Sequence, residues 1–312
     1  MLNVPKISII VPVWNRQDLI ERCLDSILNQ TVKPYEVIVV DNGSTDRTFE
    51  KVDHWMQKNS EKGIRFKLLS EPKSGACQAR QKGLENSEGE FINFFDSDDE
   101  MRPALLETAI NKIQENPKSH IICWSCRINL LDGSKKIPTV INKNLLESHL
   151  VHALLRPQGY IVRKDFLINA GGWSKPIKVW NDYELGLRLL LKEPSIIFVN
   201  QQLAEIYSQT ESITGKNFSS KHGEWEKTLN EMEKVVDSSN HSQKKKIKKI
   251  LDYRRVILAA HYYREGKIKE GKDLYRKTIK NKLFGEKLYL KFSYNFTRYG
   301  FRGAWRIVRF FY

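Results

Sequence analysis

Four times within its first 115 residues the chain repeats one pattern: a short apolar run, a polar turn, then apolar residues at helical spacing. Ile7-Ser8-Ile9-Ile10-Val11 is followed by Leu19, Ile20, Cys23, Leu24, Ile27 and Leu28 over 18–29. The run 36–40 precedes a helical stretch over 45–57, and the run 66–69 one over 75–86. The run 91–95 precedes a stretch that opens at Pro103 and carries Leu105, Leu106, Ala109, Ile110 and Ile113. The spacings predict helices, and Pro suits a first helical turn, where its missing N–H would be unsatisfied anyway. The intervening runs are continuously apolar, not alternating, so burial on both faces is expected. That is the pattern of a parallel sheet covered by helices on both sides. Right-handed crossovers put the C-terminal ends of such strands on one edge, where ligands of these sheets bind.

Beyond residue 121 the pattern loosens. Strands are expected near 121–128, 136–141, 159–163 and 196–200, a helix over 182–191, and almost unbroken helix from 219 onward. Residues 259–266 and 268–279 look like two helices joined at Gly266, a single tetratricopeptide-like hairpin; a solenoid would need about three. Charge divides the chain near the same point. The whole carries +15, yet residues 241–312 hold 21 Lys and Arg against 5 Asp and Glu, while the first 240 hold 31 against 32. A near-neutral body thus carries a basic helical extension, which points the extension at an anionic surface.

Several classes are excluded. Seventeen Gly and ten Pro are too few for a fibrous or low-complexity chain. Of the four cysteines only Cys123 and Cys126 are close, inside a run that reads as a strand. A zinc ribbon needs a second pair and a thioredoxin-type site a helix start, so buried thiols in a reducing compartment are expected. No stretch approaches the roughly 20 apolar residues of a membrane span. The apolar stretch 7–13 is too short for a signal peptide and is interrupted by Pro12, so a cytoplasmic location is expected.

The polar residues that end the strands are the candidates for chemistry. Strand one runs into Pro12-Val13-Trp14-Asn15-Arg16, strand two into Asp41-Asn42-Gly43-Ser44, and strand four into Asp96-Ser97-Asp98-Asp99. Three carboxylates within four residues repel one another. A divalent cation that also takes phosphate oxygens, Mg²⁺ or Mn²⁺, would offset that repulsion. A surface turn capping the next helix is the plainer alternative.

Taken together, residues 7–16, 37–46, 75–83 and 91–99 resemble the family 2 inverting glycosyltransferases of GT-A fold, of the type that builds bacterial surface polysaccharides. That family shows Pro-x-x-Asn-Arg, Val-Asp-Asp/Asn-Gly-Ser-x-Asp and Asp-x-Asp-Asp after its strands, with an Ala-Arg-x-x-Gly helix among them. The resemblance spans about 7–199. It implies an α/β, Rossmann-like GT-A fold with a mostly parallel sheet flanked by helices. A transferase domain is expected over 1–218, with a nucleotide-binding half to about 100 and an acceptor half over 101–218, followed by a helical basic region over 219–312. The implied donor is a nucleotide-sugar, UDP being the favoured nucleotide, bound by Pro12, Asn15, Arg16, Asp41, Arg80 and Asp96. Asp41 would accept an imide N–H of the base, Arg80 would lie near base and phosphates, and Asp96 near the ribose. Asp98 would hold the Mn²⁺ or Mg²⁺ that bridges the diphosphate, with Asp99 assisting. His222, with His152 as the other candidate, would add a metal ligand from a later loop.

Inversion needs a general base beside the acceptor hydroxyl. In the family this is an Asp at a helix start after a Gly-Gly-aromatic element. Gly171-Gly172-Trp173 and Asn181-Asp182-Tyr183-Glu184 match, with Asn181 where Glu is usual. Asp182 is the implied base, expected to be ionised by the helix N-terminus. Glu184 is its competitor, and Trp180, Tyr183 and Glu184 are the implied acceptor contacts. The implied acceptor is a hydroxyl of a glycan or of a polyprenyl-diphosphate-linked sugar.

Residues 286–312 interleave fourteen aromatic or large aliphatic side chains with six Lys and Arg. That composition suits an interfacial helix on an anionic membrane, which would place the enzyme peripherally on the inner face of a bacterial membrane. Packing of these aromatics onto the catalytic domain is the alternative. Three other classes compete: a nucleic-acid-binding protein using the tail, a nucleotidyltransferase, and a non-catalytic GT-A-like scaffold. No nucleic-acid motif accompanies the tail, so no nucleic acid is expected as partner. Strand one lacks a Gly-rich phosphate loop, and the presence of Asp41, Asp98 and Asp182 argues against a scaffold.

Overall fold

The computed structural model describes residues 4–137, 144–174, 176–209 and 218–311. The alternation appears as read: β1 (Ile7–Val13), α1 (Ile20–Leu28), β2 (Glu36–Asp41), α2 (Thr48–Lys58), β3 (Arg65–Ser70), α3 (Ala76–Glu85) and β4 (Phe91–Phe94). These four strands pair parallel in the order β3-β2-β1-β4. β1 and β2 are buried at every residue. β3 departs from the expectation of two buried faces: it is an edge strand, and its residues are half-buried or exposed.

The chain continues through β5 (Glu100–Met101), α4 (Leu105–Glu115), β6 (Ile121–Asn129), β7 (Lys135–Lys136), α5 (Leu145–His152), β8 (Tyr160–Arg163), α6 (Lys164–Asn169), α7 (Asn181–Leu190) and β9 (Ile196–Tyr207). The sheet extends from β4 as β8-β6-β9-β5, with β7 on β6. Here it is mixed: β8 is antiparallel to both neighbours, and β9 runs parallel to β6 through a bulge near Ser125. Most of the strand expected over 136–141 lies outside the described residues.

Helices cover the sheet where their apolar stripes allow. α1 buries Ile20, Cys23, Leu24 and Ile27, one face at 3–4-residue spacing. α3 lies close on β1 because residue 83 has no side chain: a Cβ on Gly83 would stand 2.3 Å from Ile10 Cγ2. All four cysteines are free and buried. Burial pushes the Cys77 thiol up to about 11 and that of Cys126 to about 12.

The chain forms two compact units. The first comprises Met1–Val140, Leu155–Leu185 and Lys192–Gln209; the second comprises Ile141–Leu154, Gly186–Leu191 and Thr210–Tyr312. The second unit therefore takes in 141–154 and 186–191, and begins its last stretch at 210, all within the 1–218 expected for the first. It contains α8 (Glu224–Ser238), α9 (Lys244–Arg264), α10 (Ile268–Ile279), α11 (Phe284–Arg298) and α12 (Ala304–Val308). α9 is its axis. Gly266, at φ +86°, ends α9, with Lys267 N–H returning to Tyr262 O at 2.9 Å. α10 then crosses α9 at Gly271, where a Cβ would meet Ala259 O at 2.6 Å. Among the described residues no helix is long and apolar enough to cross a membrane.

Candidate active site

The C-terminal ends of β1, β2 and β4 share one sheet edge, as the parallel register requires: Val13 stands opposite Asp41 and Ile10 opposite Phe94. Pro12 is tolerated in β1 because the pairing with β4 ends at Ile10, so no partner awaits the missing N–H. Asn15 turns the chain at φ +48°, a conformation Asn tolerates, and laces two loops together. Its Oδ1 accepts Thr45 N–H at 2.8 Å, and its own N–H donates to Ser44 Oγ at 3.0 Å. Arg16 N–H donates to Thr48 Oγ1 at 2.8 Å, while its guanidinium lies 3.6 Å from Asp98 Oδ2.

Asp41 is buried. Its Oδ2 accepts the N–H groups of Gly43 and Ser44 at 3.2 and 3.1 Å. Its Oδ1 is buried without a hydrogen-bond partner. A buried, unpaired carboxylate oxygen is costly, so it marks a place for a donor. Arg80, on α3, gives Nη2 to Asp96 Oδ1 at 2.6 Å, and its guanidinium lies 4.6 Å from the Trp173 ring centre. Its Nε is also buried without a partner.

The three carboxylates after β4 are held differently. Asp96 is shared between Arg80 and Gln158, whose Nε2 donates to Asp96 Oδ2 at 2.5 Å and to Asp99 Oδ2 at 2.6 Å. Asp99 also accepts Tyr207 N–H on Oδ1 at 2.9 Å. Burial, reinforced by Asp96 and Asp98, holds its carboxyl well above the usual range. Among the described residues the Asp98 carboxylate has only the 3.6 Å contact with Arg16 as a side-chain partner; burial and then Asp96 raise its pKa. Among the described residues no group of three His, Cys, Asp or Glu side chains forms a ready-made metal cage. The chemistry of the set still suits a hard cation that keeps its waters, with Asp98 as the carboxylate left to serve it.

Asp182 stands at the second residue of α7, after Trp180 at φ +51°. Its pKa is raised: desolvation outweighs Arg80, the Tyr183 N–H and Arg156, which favour the charged form. The shift opposes the stabilisation of charge expected from the helix start, and it moves the group toward the range of a general base. Trp180 and Tyr183 meet ring to ring at 5.7 Å, with Tyr183 buried. Glu184 is also buried and, two residues on, faces a different side of the helix from Asp182. His222 lies in the second unit, 3.8 Å from Glu226 and against Tyr262. His152 lies there too, at the end of α5.

Gln158 is the residue that sequence reasoning missed. It sits in a short turn, Pro157–Gly159, fixed by Trp124 Nε1 on Gln158 O at 2.8 Å and by Asn93 Nδ2 on Tyr160 O at 2.7 Å. Its partners are about sixty residues away in sequence, so no spacing announces it. Arg156 escaped for the same reason. Gln81 explains the Gly-Gly-Trp element: its Oε1 accepts Trp173 N–H at 2.9 Å, where a Cβ on Gly172 would clash at 2.5 Å.

Known proteins resemble this chain in fold and, over its first part, in sequence. TarS of S. aureus (residues 1–349), solved with UDP-GlcNAc, superposes with a TM-score of 0.67 at 17% identity, covering 95% of this chain and 92% of that one. The mannosyltransferase PcManGT of Pyrobaculum calidifontis, solved with GDP-Man and Mn²⁺, gives 0.62 at 17% identity, covering 96% and 82%. These likenesses establish the GT-A-type fold. In sequence, the glycosyltransferase GlyA of Streptococcus pneumoniae is 39% identical over 115 residues, 37% of this chain and 16% of that protein. The GalNAc(5)-diNAcBac-PP-undecaprenol beta-1,3-glucosyltransferase of Campylobacter jejuni is 39% identical over 112 residues, 36% of each. The chain thus matches well under half the length of these relatives. The family model for Glycosyl transferase family 2 matches residues 8–167, which carry Asp41, Arg80 and the Asp96–Asp99 loop, and the chain belongs to that family.

Proposed function

We propose that the chain is an inverting glycosyltransferase that moves a sugar from a UDP-sugar to a hydroxyl of a glycan or lipid-linked acceptor. The observation that carries the reading is the unpartnered, buried Oδ1 of Asp41, on the sheet edge that also bears Asp96 and Asp98. An imide N–H of uracil supplies the donor that this oxygen lacks. Arg80 and Arg16 provide positive charge for the diphosphate, and Asp96 accepts from the ribose. Asp98 would hold Mg²⁺ or Mn²⁺, which when bound neutralises charge on the departing nucleotide. Asp182 takes the proton of the acceptor hydroxyl. The oxygen bonds to the anomeric carbon from the face opposite the diphosphate, and the sugar–phosphate bond breaks with its electron pair leaving on UDP. Trp180, half-buried and two residues before the base, would contact the acceptor; Tyr183 and Glu184 are buried, which does not suit them to the acceptor contacts expected of them, and they would support α7 from within. The C. jejuni relative is named for an undecaprenyl-diphosphate-linked substrate. An acceptor of that kind would be met at the inner membrane face, where the basic C-terminal helices would hold a cytoplasmic enzyme peripherally.

Calorimetry with UDP, GDP, CDP and ADP, with and without Mn²⁺, tests the reading. UDP should bind most tightly and only with metal, and Asp98→Ala should abolish the metal requirement together with the tight binding. Equal affinity for all four nucleotides, or UDP affinity indifferent to chelator, would overturn it.

A further inference from the structure

The outward face of α11 is unlike that of an ordinary surface helix. Its inward face buries Tyr289, Leu290, Ser293, Tyr294 and Thr297, with Tyr294 stacked on Tyr275 of α10 at 4.3 Å. The opposite face of such a helix is normally polar. Here Phe284, Leu288, Phe292 and Tyr299 stand on it, 86%, 62%, 39% and 68% exposed, at positions that recur every turn or two along one side. Lys287 and Lys291 lie between them, both exposed. The aromatic surface continues past the helix: Phe292 meets Phe296 at 5.4 Å, and Phe296 meets Phe301 at 5.1 Å.

Beside this stripe is an open hollow of about 390 Å³, lined by Arg276, Lys277, Ile279, Lys280 and Lys287. Lys287 belongs to both features, so hollow and stripe form one surface. Arg276 faces Asp273 at 3.9 Å; among the described residues no carboxylate stands in ion-pair range of Lys277, Lys280, Lys287 or Lys291. Over residues 268–311 there are twelve Lys and Arg against three Asp and Glu. A second copy of the chain would bring the same cations against these and repel them. A surface of anionic phosphates over an apolar layer fits both features: the lysines reach the phosphates, and Phe284 and Leu288 enter the acyl boundary.

We infer that the α10–α11 surface, with Phe284, Leu288 and Phe292 as inserting side chains and Lys277, Lys280 and Lys287 as phosphate contacts, docks the protein onto an anionic phospholipid bilayer. The docking deepens the peripheral-membrane reading given above. It corrects the simplest form of the sequence expectation, because Tyr289, Tyr294 and Trp305 are packed inward and are not part of the surface.

Flotation of the full-length protein with vesicles of phosphatidylcholine alone, and with 30% phosphatidylglycerol, tests it. Binding is expected to the anionic vesicles only and to fall steeply between 50 and 300 mM salt. Lys280→Glu with Lys287→Glu should weaken it by at least about thirtyfold. Phe284→Ser with Leu288→Ser should also abolish flotation, while the ellipticity and melting temperature of both variants stay those of the wild type. Nucleotide binding by calorimetry should be unchanged in both, so that failure here is separable from failure of the donor assignment. Equal flotation of the variants and the wild type, or binding indifferent to phosphatidylglycerol, would overturn the inference. So would sedimentation showing a dimer that Phe284→Ser with Leu288→Ser dissolves.

Discussion

Replacing Gly83 by Ala should damage catalysis more than stability, and the structure allows the reason to be worked through. The new Cβ would stand 2.3 Å from Ile10 Cγ2 and 3.4 Å from Ile10 Cβ and Cγ1. Apolar carbons rest at about 3.5–4.0 Å, so something must yield by over an ångström. Ile10 is fully buried, β-branched and on a central strand held on both sides, so α3 is the element that moves. Overpacking of this kind costs about 1–3 kcal/mol, offset by about 0.8–1.0 kcal/mol for Ala over Gly in a helix. The net loss is about 1 kcal/mol, or about 2–4 °C in melting temperature. Arg80 is on the same helix one turn earlier, bonded to Asp96 at 2.6 Å. A displacement of about 1 Å at a reacting centre can cost about a hundredfold in rate. Gly83→Ala should therefore lose about a hundredfold in kcat/KM while remaining folded at 25 °C, measured by UDP release and by thermal melting. Gly285→Ala is the control: nothing lies within 4 Å of its Cβ, so melting temperature and rate should hold or rise slightly. If Gly83→Ala matches the wild type in both assays, the close seating of α3 on β1 does not position Arg80.

Other outcomes follow from the site. Asp182 has a folded pKa raised by burial, so its contribution to stability is greatest below its unfolded pKa and falls as pH rises through the folded one. Asp182→Asn should thus melt slightly higher than the wild type at pH 7 while turnover drops by about 10²–10⁴. The wild-type kcat should fall on the acid side with an apparent pKa above that of an ordinary Asp, a limb absent in the variant. Asp41→Ala removes a charged acceptor and should weaken UDP binding by roughly 1.5–3 kcal/mol in calorimetry, with little change in melting. Gln158→Leu leaves Asp96 and Asp99 without their shared donor, and should cost about 1–3 kcal/mol in stability along with most donor affinity. A melting temperature within 1 °C of the wild type would show that the bridge is dispensable.

The sheet from β3 to β4 and its helices were legible because each element carries its own period in the sequence. So were the strand-end residues, since right-handed parallel crossovers bring Pro12, Asn15, Asp41 and Asp96 to one edge whatever the loops do. β5, with two residues, and α5 and α6, with eight and six, are too short for a period to declare itself. β3 was misjudged because edge position depends on strand order, which composition does not carry. The upward shift of the Asp182 pKa was not legible for a related reason. The helix start is local and legible, but the burial that outweighs it depends on how distant parts of the chain pack around α7. Of the tail, the sequence reveals its charge and aromatic content, while the division of its aromatics into inward and outward sets needed the helix faces.

The buried cysteines give the molecule a use that its chemistry does not require. Cys23, Cys77, Cys123 and Cys126 all belong to the first unit, and the second contains none. A thiol-reactive dye added to the native protein should therefore be consumed slowly, and each modification should report an opening of the first unit. Opening of the α8–α12 bundle leaves no trace in that reaction, whereas far-ultraviolet ellipticity responds to both units. Running the two measurements along one temperature ramp in unlabelled wild-type protein tests whether the two units melt together, with one shared midpoint, or apart. A single cysteine introduced on the exposed face of α11 would then be the one fast-reacting thiol, a clean handle for spin or fluorescent probes on that face.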